Sequence, residues 1–256
     1  MYHAIVFFDL DGTLFDDNKN VLPTSVAAIH EMQQHHILPV IATGRNIFEI
    51  QSILDTTHIG AVVSANGSYV QYQGKRLAAA NIPISTLKAI TTFAKQQGDP
   101  VGYFNNQGFR LSQANQDTQD NFNLLRLSAV VDPDWYLTHD INFLNIFNRD
   151  KEKIYQREFA GQLTLVRNNP RALDTMVMGI TKQTGIRTLL KTAGLQDAKT
   201  YAFGDGLNDL QMFDEVDVPI AMSNGVFQAK NKATYVTTSN MTDGIVNGLR
   251  HFGLIQ

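Results

Sequence analysis

Short apolar runs alternate with stretches in which apolar residues recur at helical spacing. Up to about residue 80, Ala4–Leu10, Ile37–Ala42 and Ala61–Ser64 read as strands, separated by helical patterns over Thr24–His36 and Ile47–Asp55. Val26, Ile29 and Met32 fall on one face of the first helix and would cover a sheet, with Thr24 or Ser25 as its cap. Alternation of this kind marks parallel βαβ units. Ser68–Gln73 and Arg76–Ala80 flank Gly74 and read as a hairpin. The final third returns to the same grammar. Met176–Ile180 reads as a strand, and Lys182–Ala193 as a helix with Ile186, Leu189, Leu190 and Ala193 on one face and Gly194 as its stop. Thr200–Gly204 and Val218–Ala221 read as strands, and Leu207–Phe213, a segment near Phe227 and Ile245–Phe252 as helices.

Between about 81 and 175 the texture changes to more Asn and Gln and irregular strands. A helix over Ser85–Lys95, strands near Val101–Phe104 and Phe109–Ser112, a helix through Asp117–Leu127, and strands near Ile141–Ile146 and Leu163–Val166 predict an inserted α+β unit with an antiparallel sheet. The expectation is an α/β protein with two domains: a Rossmann-like parallel-sheet core from residues 1–80 plus 177–256, and an inserted domain over 81–176.

The chemistry gathers at strand ends. Asp9-Leu10-Asp11-Gly12-Thr13 follows Ala4–Phe8, so two carboxylates stand two residues apart where a buried strand finishes. In extended chain they face the same side. Two such anions about 4 Å apart repel by roughly 4 kcal/mol at an effective dielectric near 20. A divalent metal is the simplest remedy. A solvated Asp-Gly turn would be the bland explanation, but the pattern repeats. Gly204-Asp205-Gly206-Leu207-Asn208-Asp209 again follows an apolar run and opens a helix.

Thr43-Gly44-Arg45 ends the second strand, offering a hydroxyl, a glycine amide and a helix start as an anion-binding corner. Ligands of open parallel sheets collect beyond the carboxyl ends of the strands, which would place Thr43 on one rim with Asp9 and Asp205. Lys182 lies in a first helical turn, where its charge opposes the helix dipole by a few tenths of a kcal/mol. A phosphate or the carboxylates themselves would compensate it.

Composition narrows the partners. The net charge is −3 over 256 residues, and no segment concentrates Lys or Arg, which disfavours nucleic acid and anionic membrane. The chain contains no cysteine, excluding disulfides, thiolate metal sites and cysteine nucleophiles. It shows neither a membrane-length apolar run nor a secretory leader, so a cytoplasmic location is expected. The seven histidines show no metal-ligand spacing beside an acidic motif, and Trp135 reads as domain core. No Gly-x-x-x-x-Gly-Lys-Ser/Thr phosphate loop occurs.

With these four stations in order, the chain resembles the haloacid dehalogenase superfamily, and its insert is similar to the C2 cap of the Cof-type, class IIB, phosphatases. Ala65-Asn66-Gly67 also resembles that branch, while Gln183 departs from it, standing where glycine is common. The resemblance implies Asp9 as nucleophile forming an aspartyl-phosphate and Asp11 as general acid and then base. It implies Mg²⁺ on the Asp9 side chain, the Asp11 backbone carbonyl and Asp205, with Asp209 behind them. Thr43, Gly44, Lys182 and Asn208 would surround the phosphoryl oxygens. The expected activity is hydrolysis of small phosphorylated metabolites such as sugar phosphates, with the insert choosing the substrate. A phosphomutase of a related capped branch, or a non-catalytic protein that binds phosphate and metal, is the alternative.

Overall fold

The computed structural model describes residues 2–256, the side chain of Asn168 aside. The first segment runs β1 (Ala4–Phe8), α1 (Pro23–Gln34), β2 (Ile37–Ala42), α2 (Gln51–Thr57), β3 (Ala61–Ser64), β4 (Tyr69–Tyr72) and β5 (Lys75–Ala79). The middle runs α3 (Ile84–Gln97), β6 (Val101–Asn105), β7 (Gly108–Leu111), α4 (Gln116–Leu124), β8 (Phe143–Phe147), α5 (Glu152–Glu158), β9 (Leu163–Asn169) and β10 (Ala172–Val177). The last segment is α6 (Lys182–Thr192), β11 (Lys199–Gly204), α7 (Leu210–Phe213), β12 (Val218–Ala221), α8 (Phe227–Lys232), β13 (Tyr235–Val236) and α9 (Gly244–His251). Two compact units result. One contains the residues up to Ala78 together with Thr181–Gln256, and the other contains Ala79–Ile180.

The first unit is built on an eight-stranded sheet of order β13-β12-β11-β1-β2-β3-β4-β5. From β13 to β3 every pairing is parallel, and β4 runs antiparallel to β3. A parallel sheet is covered on both faces, so its central strands are apolar at every position rather than at alternate ones. All five residues of β1 are buried accordingly. Ile5 and Phe7 pack on one face with Ile186 and Leu189 of α6, Met212 and Phe213 of α7 and Ala229 of α8. On the other face Phe8 stacks on Phe203, their centroids 5.4 Å apart, and α9 approaches Phe203 through Gly248, where a Cβ would meet the ring.

The second unit is an antiparallel sheet of order β7-β6-β8-β10-β9. Its core joins Leu87, Ile90 and Ala94 of α3, Tyr155 of α5, Leu144 and Ile146 of β8, and Trp135, so that tryptophan is core as expected.

Several expectations need correction. Of the run expected as a core strand over Met176–Ile180, Met176 and Val177 end β10, which pairs with β8 and β9 in the second unit, and Met178–Ile180 lie beyond the strand. An apolar run signals a strand but not its partner, and Leu173 commits this one to the second core. Neither Thr24 nor Ser25 caps α1. The helix starts on Pro23, whose fixed φ suits a first helical position, and Thr24 Oγ1 donates to Asp243 Oδ1 at 2.6 Å instead. The expected Ile47–Asp55 helix divides into a tight turn at Ile47–Glu49 and α2.

Candidate active site

Parallel register brings the acidic motifs together. Phe8 stands level with Ile41 of β2 and Phe203 of β11, so Asp9, Thr43 and Asp205 leave neighbouring strands at the same end. The Asp9 amide donates to the Phe203 carbonyl at 3.0 Å. Beyond it, carboxylate oxygens of Asp9, Asp205 and Asp209 lie within 4.8 Å of one another.

Asp209 is the buried floor of this cluster. Its Oδ2 accepts from the amides of Asp205 and Gly206 at 3.0 and 2.9 Å, and its Oδ1 accepts from Lys182 Nζ at 2.7 Å. The close approach requires Gly204, because a Cβ there would lie 2.7 Å from the Asp209 carboxylate carbon. Lys182 also donates to Asp9 Oδ1 at 2.5 Å. Its side chain is 1% exposed. Two carboxylates thus answer the lysine that opposes its helix dipole. Thr181 caps α6, exchanging hydrogen bonds with Thr184, and thereby fixes the first turn that carries Lys182. The turn sits tightly on Ala65–Gly67: a Cβ on Gly185 would meet the Gly67 Cα at 2.8 Å. Gln183, the departure from the family pattern, sits within that regular first turn.

Between Asp9 and α1 the chain makes an irregular turn, with Leu14 N donating to Asp9 O at 3.2 Å and Phe15 N to Leu10 O at 2.8 Å. Asp11 is extended and Gly12 has φ +82°, a left-handed value that glycine adopts without strain. A side chain on Gly12 would also run into the Asp205 carboxylate. Thr13 Oγ1 donates to Asp205 Oδ1 at 2.9 Å.

Asp11 faces two cations. Arg45 grips it with Nε and Nη2, each at 2.8 Å, and Lys19 Nζ donates to Oδ1 at 2.7 Å. Arg45 is braced from behind, its guanidinium 5.1 Å from the centroid of the Phe15 ring. Thr43 Oγ1 accepts from the Arg45 amide at 3.1 Å, and Gly44 lies against the Asn66 side chain. Asn208 is exposed in the Asp205–Asp209 turn.

The electrostatics separate the carboxylates. Burial first, then the Asp209 charge, raise Asp9 well above the usual carboxylate range, against the pull of Lys182. Burial and Asp209 push Asp205 up to about 6. Asp11 goes the other way: burial would raise it, but the hydrogen bonds and charges of Arg45 and Lys19 outweigh that and hold it low. A divalent ion fits this donor set. Three close carboxylates with one ammonium among them leave excess negative charge, and carboxylate oxygens are the hard donors that Mg²⁺ prefers.

The expected residues therefore fall into four places: Asp9, Asp205, Asp209 and Lys182 in one cluster, Asp11 in a cation clamp beside it, Thr43 and Gly44 at the adjoining strand end, and Asn208 exposed in the turn between Asp205 and Asp209. Sequence reasoning missed Lys19, and quoted Thr13 and Arg45 without giving either of them work. Arg45 could have been found as a cation following the anion-binding corner, but Lys19 had no such signal.

The sequence model of the haloacid dehalogenase-like hydrolase family matches residues 6–249. YkrA of Bacillus subtilis is 29% identical over the whole of both chains. A solved protein of Geobacillus kaustophilus HTA426 is 32% identical with a TM-score of 0.91, covering 98% of this chain and 99% of that one. BT4131, described as a HAD subclass IIB sugar phosphatase, is 25% identical with a TM-score of 0.85 over 98% of this chain and 99% of that one. With the family pattern running through nearly its full length, the chain belongs to the haloacid dehalogenase-like hydrolases.

Proposed function

We propose that the protein is a Mg²⁺-dependent phosphatase of small phosphorylated metabolites, sugar phosphates among them, working through an aspartyl-phosphate in the cytoplasm. The observation that carries this reading is the meeting of Asp9, Asp205 and Asp209 around Lys182, from opposite ends of the chain. The relationship to BT4131 supports the sugar-phosphate class.

Asp9 attacks phosphorus, and the bond to the leaving oxygen breaks as the new acyl-phosphate bond forms. Asp11, which Arg45 and Lys19 hold as a carboxylate in the free protein, must first take up a proton; it gives that proton to the departing alcohol and then takes one from the water that hydrolyses the aspartyl-phosphate. The Asp9 and Asp205 side chains and the Asp11 carbonyl would hold Mg²⁺, which supplies positive charge against the phosphoryl oxygens. Lys182, Thr43, Gly44 and Asn208 surround those oxygens with donors, and Asp209 fixes Lys182 and the Asp205 peptide in place. The unit made of the residues up to Ala78 with Thr181–Gln256 acts as the core domain, and Ala79–Ile180 as the cap that selects the substrate.

Asp9→Asn keeps the size of the side chain but removes the nucleophile. It should lower Mg²⁺-dependent phosphate release by roughly 10³-fold or more, while circular dichroism and thermal unfolding stay close to the parent. Undiminished hydrolysis of an aryl phosphate by a folded variant would refute the assignment.

A further inference from the structure

We propose that Asn224 and Asn240 are positioning residues that hold Asp11 in place from the far end of the chain. The inference rests on the reading of Asp11 as acid and base. Asn224 Nδ2 donates to the Gly12 carbonyl at 2.8 Å, and its Oδ1 accepts from the Asn240 amide at 3.1 Å. Asn240 is 6% exposed, and its Nδ2 donates to the Phe15 carbonyl at 2.9 Å and to Asp17 Oδ1 at 3.3 Å. The two amides thus grip the Asp11 turn on both sides, at Gly12 and at Phe15.

The second grip reaches further. Phe15 and Val21 bridge the short hairpin whose tip carries Lys19, one of the two cations on Asp11. Phe15 also supports the ring face over which Arg45, the other cation, is placed. A loosened Asn240 would therefore disturb both side-chain partners of Asp11 together. The loop bearing Asn224 is itself tied to the acidic cluster, since Val226 N donates to Asp205 O at 2.8 Å. Gly225 lies 2.9 Å, by its would-be Cβ, from the carbonyls of Asp205 and Met222. One loop thus sets the spacing between the Asp205 peptide and the Asp11 turn.

The residue type suits the task. Asn224 must donate to a carbonyl and accept from an amide at once, which a primary amide does and a carboxylate cannot. Replacement by alanine leaves Gly12 O and the Asn240 N–H without their partners.

The test compares kcat/KM, with Mg²⁺ present, for an alkyl phosphate such as glycerol phosphate and an aryl phosphate such as p-nitrophenyl phosphate. This ratio reports steps through departure of the alcohol, and an alkoxide needs a proton where a nitrophenolate does not. Asn240→Ala should lower kcat/KM about 10-fold or more for the alkyl ester and less than about threefold for the aryl ester. Asn224→Ala, whose side chain is on the surface, should show the same asymmetry at smaller size. In an Asp11→Asn background neither change should add to the loss, because both act through Asp11. Equal losses on both esters, or a full further loss in the Asp11→Asn background, would overturn the proposal. If Asn240→Ala does not fold, the Asn224→Ala series decides by the same criteria. Asp11→Asn that shows no asymmetry of its own would instead retract the acid role on which the inference rests.

Discussion

Lys182 decides whether the acidic cluster can exist in a folded chain. Its ammonium lies between Asp9 and Asp209, both shielded from water. Lys182→Met would leave two buried carboxylates without their cation, and breaking a buried ion pair in this way costs about 3–5 kcal/mol. Urea unfolding at neutral pH should show that loss, shrinking under acid conditions as the carboxylates take up protons. Asp205 offers a second test. Its pKa, pushed up to about 6 from an ordinary 3.8, means that the folded protein holds this proton more tightly than the unfolded chain. The resulting stabilisation is complete below the unfolded value and is lost as pH rises through 6. A divalent cation competes with the proton and replaces its effect once the proton has gone. Mg²⁺ should therefore raise the melting temperature little at pH 5 and most near pH 8, compared with EDTA at each pH; equal shifts would contradict the assignment. Asp9, Asp205 and Lys182 were legible in the sequence because each sits at a strand end or helix start with a recognisable neighbour. The clamp on Asp11 was not, since Lys19 reaches it only through a hairpin tip where its own backbone has φ 64°, and no periodic pattern encodes such a turn.

At the scale of elements, the seating of α6 against β3 and the Ala65–Gly67 turn is what delivers Lys182. Two tendencies oppose each other at Gly185. Alanine would favour the helix by about 1 kcal/mol, but its Cβ would press on Val63 Cγ1 and on the Gly67 backbone. Overpacking against backbone costs about 1–3 kcal/mol, so Gly185→Ala should destabilise the protein and reduce activity, as thermal unfolding and phosphate release would show. A more stable, fully active variant would mean that α6 can shift without consequence. The parallel strands β1, β2, β3, β11 and β12 were readable because burial on both faces makes them continuously apolar. The partner of β10 was not readable, because alternation reports which face is buried and not which sheet owns the strand. α5 went unread as well: its seven residues bury Tyr155 alone, too little for a periodic signal.

The whole molecule joins one continuous unit, Ala79–Ile180, to a unit made from two distant segments. The continuous unit has its own sheet and core, including the Asp99 carboxylate held by Lys151 and Tyr155, each at 2.7 Å. Residues 79–180 expressed alone should unfold cooperatively in urea with native-like circular dichroism, and a broad, non-cooperative transition would show that they depend on the rest. The other unit has no such independence. Its central strand β1 is flanked by β2 on one side and by β11, nearly two hundred residues later, on the other. During synthesis the first segment must wait with one edge of β1 unpaired until β11 emerges, and unpaired strand edges invite association with other chains. Ribosome-bound intermediates that stop before Lys199 should accordingly be inert and prone to aggregate, and their rescue should coincide with the arrival of the strand that brings Asp205 beside Asp9.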